Sequence, residues 1–134
     1  MILGNVFRKI IIFFKIKFST NHKIGSYGPF KIDGYFAFSN FRDWGSKHNN
    51  CFQLLIESSK NKKCVLDVGA HIGLVTLPLS TNLSFDGKIH AFEPSSANLN
   101  YLKRHIFLNN INNVIVIDKL IGDKDDQKIE FYES

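Results

Sequence analysis

Acidic residues are missing from the first 32 positions of this 134-residue chain, where Arg8, Lys9, Lys15, Lys17, Lys23 and Lys31 stand unopposed until Asp33. The remainder carries 11 basic residues against 12 acids, so the net charge of +5 belongs to the N-terminal arm. A nucleic-acid partner needs Lys and Arg clustered on the domain surface, and the balanced remainder argues against one. Cysteine is scarce too. Cys51 and Cys64 fit no metal or redox spacing, and each lies in an apolar run where a thiol is expected to be a small, inert core residue. His48, His90 and His105 stand at no metal or triad spacing, so no metal is expected, and His90, inside an apolar strand, reads as a core histidine. Long hydrophobic runs are absent. The uninterrupted apolar stretch of the arm, Ile10 to Phe14, is far short of the roughly 20 residues that span a bilayer. No small-residue cleavage site follows it, which argues against a secretory signal and for a cytoplasmic chain.

Two readings of the arm from Val6 to Phe18 remain. It is an edge strand or packing helix of the fold, or a basic, apolar segment that makes weak peripheral contact with an anionic membrane. No repeat or low-complexity segment appears, and the length suits one domain of ordinary globular composition.

The informative stretch is Cys64-Val65-Leu66-Asp67-Val68-Gly69-Ala70-His71-Ile72-Gly73. An apolar run ends in an acid, and two glycines follow, four positions apart, as an amphipathic segment begins. This is the pattern of a buried parallel strand turning into a helix at a nucleotide-type site. Gly69 permits a sharp turn, and Gly73 lets the next helix lie close to the sheet or the ligand. Asp67 would direct a carboxylate into the crevice at the carboxyl end of the strand. The glycine triplet of nicotinamide enzymes does not fit, because His71 and Leu74 occupy the places of its second and third glycines. A second short strand, Lys88 to Phe92, runs into Glu93-Pro94. Glu93 lies 26 residues after Asp67, near the ~20-residue offset at which a second-strand acid accepts from ribose hydroxyls. If that carboxylate faces solvent, its removal should cost little stability.

Val-Leu-Asp-Val-Gly-Ala-x-x-Gly, then His-Ala-Phe-Glu-Pro-Ser, then Asn113-Val114 through Ile121-Gly122-Asp123, resemble the FkbM-type family of S-adenosylmethionine-dependent methyltransferases, from about Cys64 to Glu133. The resemblance implies an α/β fold, a partial doubly wound, Rossmann-like methyltransferase sheet, to which the chain before Cys64 would add an N-terminal hairpin and helix extension. It implies S-adenosylmethionine as cofactor. Asp67, Gly69, Ala70, His71 and Gly73 would surround its methionine part, Glu93 and Pro94 would lie at the ribose, and backbone near Lys119-Leu120 would meet the adenine. His71 departs from the Asn often found there. The acceptor would be a small molecule bearing a hydroxyl, on a saccharide or a natural product. Such an acceptor needs a general base, and no residue stands out as one. The alternative is a module that binds the cofactor without chemistry.

The expected organisation is an arm and hairpin region, 1–48, followed by a partial methyltransferase domain, 49–134. Asp33-Gly34 between apolar runs predicts a hairpin turn. Cys51, Leu54, Leu55 and Ser58 predict a helix face behind caps at Asn49 or Asn50. The helix after the glycine loop, Ile72 to about Thr81, should kink or end early at Pro78. Ser95 should cap a helix with Leu99, Leu102 and Ile106 inward, closing near Asn109-Asn110. Val114 to Ile117 reads as a strand buried on both faces, and Leu120 to Asp123 with Lys128 to Tyr132 as a terminal hairpin. Trp44, with Phe41 and Arg42, reads as a core anchor or a flap. In a sheet truncated after its third core strand, Cys64 to Val68 would lie at an unprotected edge, and the 134 residues alone would be an incomplete enzyme.

Overall fold

Three parallel strands form the centre of the chain: β3 (Cys64–Val68), β4 (Lys88–Phe92) and β5 (Val114–Ile117), in the order β3-β4-β5. The structure, a computed structural model, describes residues 2–14, 16–46, 51–82 and 85–124, with only the backbone at 2 and 3. Asp67 pairs with Ala91 and Val68 with Phe92, which aligns the carboxyl ends of β3 and β4. The helix α3 (Thr76–Ser80) follows β3, and α4 (Ser96–Leu108) follows β4. Ser95 caps α4 by accepting from Asn98 N at 3.3 Å, and Leu99, Leu102 and His105 are its buried residues. Asn109 closes it, and Asn110 takes a left-handed φ of 53°. This is the predicted strand-helix-strand-helix-strand order, with the first strand at the edge.

One face of the sheet is covered. Ile89 shares a core cluster with Leu77 and Leu79, and Ala91 packs with Leu102. The other face is open, with Leu66 and Val68 61% and 59% exposed and Ile115 exposed beside them. Parallel sheets normally bury both faces, so β5 departs from the expectation that it would be buried on both. Cys64 is exposed on that face, 3.3 Å from Nδ1 of the half-buried His90, and Cys51 is exposed as well. Neither thiol is the core residue that its apolar neighbours suggested.

Before the sheet come α1 (Ile2–Phe14) and an antiparallel pair, β1 (Ser19–Ile24) and β2 (Tyr27–Asp33), followed by a 3-10 turn at Gly34–Phe36. The hairpin turns at Gly25-Ser26, with Gly25 at φ 56°, and not at Asp33-Gly34. Asp33 instead caps the 3-10 turn by accepting from Tyr35 N at 2.8 Å. An Asx-type cap and a hairpin turn use the same residues, and here the local side-chain bond prevails. The hairpin packs on α4: Lys31 N donates to Asn109 Oδ1 at 2.9 Å, and Arg104 pairs with Asp33. It does not pair with β3, whose outer edge carries no strand among the described residues. Ile24, Phe30 and Ile32 of the hairpin share one core cluster with Ile72, Leu77 and Ile89.

Two helices differ from expectation. α2 (Phe52–Ser58) buries Phe52 and Ile56, while Leu54 and Leu55 are exposed. The proposed caps Asn49 and Asn50 lie outside the described residues, as does His48. α3 begins at Thr76, so residues 71–75 are turn and Pro78 falls in the first helical turn. There its missing N–H would have had no intrahelical partner. The clash with the carbonyl of Leu74 is avoided by starting late, not by kinking. No strand forms at Leu120 to Asp123, and the second half of the expected terminal hairpin lies outside the described residues. Trp44 and Phe41 pack against the core, whereas Arg42 is exposed. No described helix is long and apolar enough to cross a membrane.

Candidate functional site

The chain leaves β3 at Val68 and turns at once. Gly69 takes φ 77°, His71 φ 52° and Gly73 φ 97°, so the segment alternates into the left-handed region that disfavours side chains. Two backbone donors clip this turn to the neighbouring strand, Gly69 N and Ala70 N, each 2.9 Å from Phe92 O. A third donor, His71 N, reaches Glu93 Oε2 at 2.7 Å. The other oxygen of Glu93 accepts from Ser95 N at 2.9 Å. Glu93 is only 4% exposed. It is therefore not a solvent-facing carboxylate: it ties the glycine turn to the start of α4. Its own N–H donates to Ile117 O at 3.1 Å, which continues the pattern to β5.

Asp67 is half-buried below the same turn, and the buried Thr76 donates Oγ1–H to its Oδ2 at 2.5 Å. Burial pushes the Asp67 carboxyl above the usual carboxylate range. The Thr76 hydroxyl opposes that shift, and the Glu93 charge reinforces it. Two acids thus sit at the carboxyl ends of adjacent parallel strands, where open α/β sheets bind their ligands.

The seven residues predicted from sequence are not equivalent. Gly69 and His71 are exposed, Asp67 and Pro94 half-buried, and Ala70, Gly73 and Glu93 buried. A Cβ on Gly69 would meet nothing within 4 Å, so open space lies beside the turn at that point. A Cβ on Gly73 would lie 3.0 Å from Leu102 Cδ1 and 3.5 Å from Leu77 Cγ. Gly73 lets the turn approach α4. Ala70 packs with Ala91 and Leu102. Pro94 stands between Glu93 and the cap Ser95, and it cannot donate to a strand. Asp118, Lys119 and Leu120, after β5, are all exposed.

His105 was not singled out by its spacing, and it is fully buried under the loop. Its Nδ1 lies 2.8 Å from Ile72 O, and its Nε2 accepts from Asp33 N at 3.0 Å. Those partners require the neutral ring with the proton on Nδ1. The sequence signal was its place three residues after Leu102 on the inward face of α4. Thr76 was also missed: it stands nine residues after Asp67, a separation no local pattern joins. Among the described residues no group of three His, Cys, Asp or Glu could hold a metal ion. A hollow of about 280 Å³ beside the hairpin is lined by His22, Lys23 and Arg42 among others and includes no residue of this loop. The geometry of the strand ends, not that hollow, marks the candidate site.

No family model and no curated protein matches the sequence. Solved structures do. M. jannaschii TYW2 in complex with AdoMet matches with a TM-score of 0.54 and 24% identity, over 84% of this chain and 47% of that one. P. horikoshii TYW2 in complex with MeSAdo gives 0.55 and 16% over 87% and 47%. Trm5b from Pyrococcus abyssi gives 0.51 and 15% over 93% and 42%. The chain spans less than half the length of each of these structures. At such identities the likeness is one of fold: the three parallel strands with their helices match part of the Rossmann-like sheet of these structures.

Proposed function

We propose that this chain carries the cofactor-binding part of an S-adenosylmethionine-dependent methyltransferase of the FkbM type. One observation carries the reading: Asp67 and Glu93 stand at the aligned ends of β3 and β4, on either side of a glycine turn with open space beside Gly69. The residues present suit the cofactor. Asp67, Gly69, Ala70, His71 and Gly73 form or support the turn for its methionine part. Asp67 offers an acidic acceptor where that part carries a cationic amine, and the cation would offset the cost of ionising a half-buried acid. Glu93 accepts two backbone N–H groups, and a carboxylate has about four acceptor positions, so capacity remains for ribose hydroxyls. Pro94 lies beside it.

The bound cofactor would supply a methyl group already activated on a sulfonium. The work left to the chain is to hold and orient it and to exclude water. Residues 49–134 are assigned to that task, and 1–48 to an arm and a hairpin, of which the hairpin packs on α4. By the FkbM resemblance the acceptor is a hydroxyl on a saccharide or natural product.

Calorimetry with S-adenosylhomocysteine tests the cofactor assignment. Saturable binding is expected, and a folded sample without it at millimolar ligand overturns the reading. Binding without turnover on any hydroxyl acceptor would favour a non-catalytic cofactor module.

A further inference from the structure

The helix α1 buries one side against the described residues and leaves large apolar side chains exposed elsewhere. Gly4 lies against Phe38, Phe7 meets Phe18 and Phe38 edge-on at 6.0 and 4.9 Å, and Ile11 is buried. Arg8 fixes the same side: its guanidinium sits 5.0 Å from the centre of the Tyr35 ring and donates to Tyr35 O and Ser39 Oγ. Elsewhere on the helix Val6, Ile10 and Phe13 recur at about one turn's spacing, Phe14 stands one turn after Ile10, and all four are exposed. Phe13 and Phe14 are 80% and 66% exposed, and their rings meet edge-to-face at 5.0 Å. A helix resting on a globular domain normally presents charged or polar residues there.

The charge around this face selects its occupant. Lys9 on the helix and Lys17 three residues past its end are exposed, and the sequence holds no acid before Asp33. A second copy would bring the same cationic segment against itself, and the like charges would repel. A surface that offers both apolar depth and negative charge is an anionic lipid bilayer. At 13 residues α1 is about 20 Å long, shorter than the ~30 Å hydrocarbon core, so it can lie in the interface but not span it.

We infer that α1 docks on anionic membrane, with Val6, Ile10, Phe13 and Phe14 at the acyl boundary and Lys9 and Lys17 among the headgroups. The rest of the domain is held to the helix through Phe7, Arg8 and Ile11. This goes beyond the methyltransferase reading and does not depend on it.

Flotation of the full chain with vesicles tests the inference. Binding is expected to vesicles with roughly 30% phosphatidylserine and not to phosphatidylcholine alone, and it should fall about ten-fold or more on going from low to high salt. Phe13→Ser with Phe14→Ser should abolish it, as should Lys9→Glu with Lys17→Glu. If the double serine variant fails to fold, Phe13→Trp serves instead, with an emission blue shift expected only on anionic vesicles. Equal binding to neutral vesicles, or no binding by a folded chain, overturns the inference. So does concentration-dependent dimerisation that Phe13→Ser removes while lipid binding is absent.

Discussion

Glu93 holds the glycine turn with one oxygen and the start of α4 with the other, at 2.7 and 2.9 Å. Removing a buried acceptor leaves both N–H groups without a partner, at about 1–3 kcal/mol each. Glu93→Ala should therefore lower stability by roughly 2–6 kcal/mol, seen as a fall in the denaturant midpoint, and weaken cofactor binding as well. Unchanged stability would mean that the turn does not depend on this carboxylate. Asp67 is the opposite case. Its folded pKa is raised by burial, so its stabilising contribution is complete below the ordinary value near 3.9 and is lost as pH rises through the folded value. At neutral pH the ionised group is a liability to the fold. Asp67→Asn keeps a carbonyl oxygen for the Thr76 hydroxyl and removes the ionisation. The expected result is a melting temperature at pH 7 equal to or above the parent's, with weaker binding of S-adenosylhomocysteine. A clear loss of stability would contradict the burial argument.

At the scale of elements, β3 is the flank of the sheet, with no strand beyond it among the described residues. It carries neither proline nor lysine, and its open face shows Leu66 and Val68. Natural edges are normally blunted by such residues or covered. Leu66→Lys places a charge on a side chain that is already largely exposed, so the fold should be retained with a stability change within about 0.5 kcal/mol. Light scattering of the isolated chain should show slower self-association than the parent. Faster association, or loss of the folded far-ultraviolet spectrum, would show that Leu66 is buried in solution. The late start of α3 belongs to this scale too. Residues 71–75 remain turn, which keeps Pro78 in a position that needs no N–H.

Across the whole molecule, His105 links three parts: α4, which carries it, the glycine turn through Ile72 O, and the hairpin through Asp33 N. Burial lowers its pKa, with Arg104 and His22 acting in the same sense and the Ile72 carbonyl and Asp33 opposing. The unfolded chain binds a proton near the ordinary value of about 6.5. Between that value and the lower folded one, the unfolded state holds more protons. The contribution of His105 is thus complete above about 6.5 and is lost as pH falls from there through the folded value. A protonated ring could no longer accept from Asp33 N. Thermal unfolding followed between pH 7.5 and pH 5 should show this slope, and His105→Gln should flatten it. An equal slope in the variant would assign the effect elsewhere, for example to His22, whose pKa is also lowered by burial.

Local chemistry alone was enough to determine β3, β4 and β5, the Ser95 cap and the glycine turn. Apolar runs of strand length, a cap residue and glycines that take positive φ are properties of neighbouring residues. Short-range signals did not determine which faces would be buried. Leu54 and Leu55 carry the right hydropathy, yet Phe52 and Ile56 are the residues that the core receives, because burial depends on what α2 meets. Cys51, Cys64 and Ile115 are apolar or nearly so, but the surface beside them is open. Asp33-Gly34 could serve a hairpin or a cap, and the packing of β2 on α4 accompanies the cap. The candidate site divides in the same way. Asp67, the glycines and Glu93 were legible from type and spacing. That Glu93 is buried under two N–H donors, that Gly73 faces Leu102 and that His105 ties the hairpin to the loop could be decided only by the tertiary structure. Each joins residues that the chain keeps apart and only close packing brings within bonding distance.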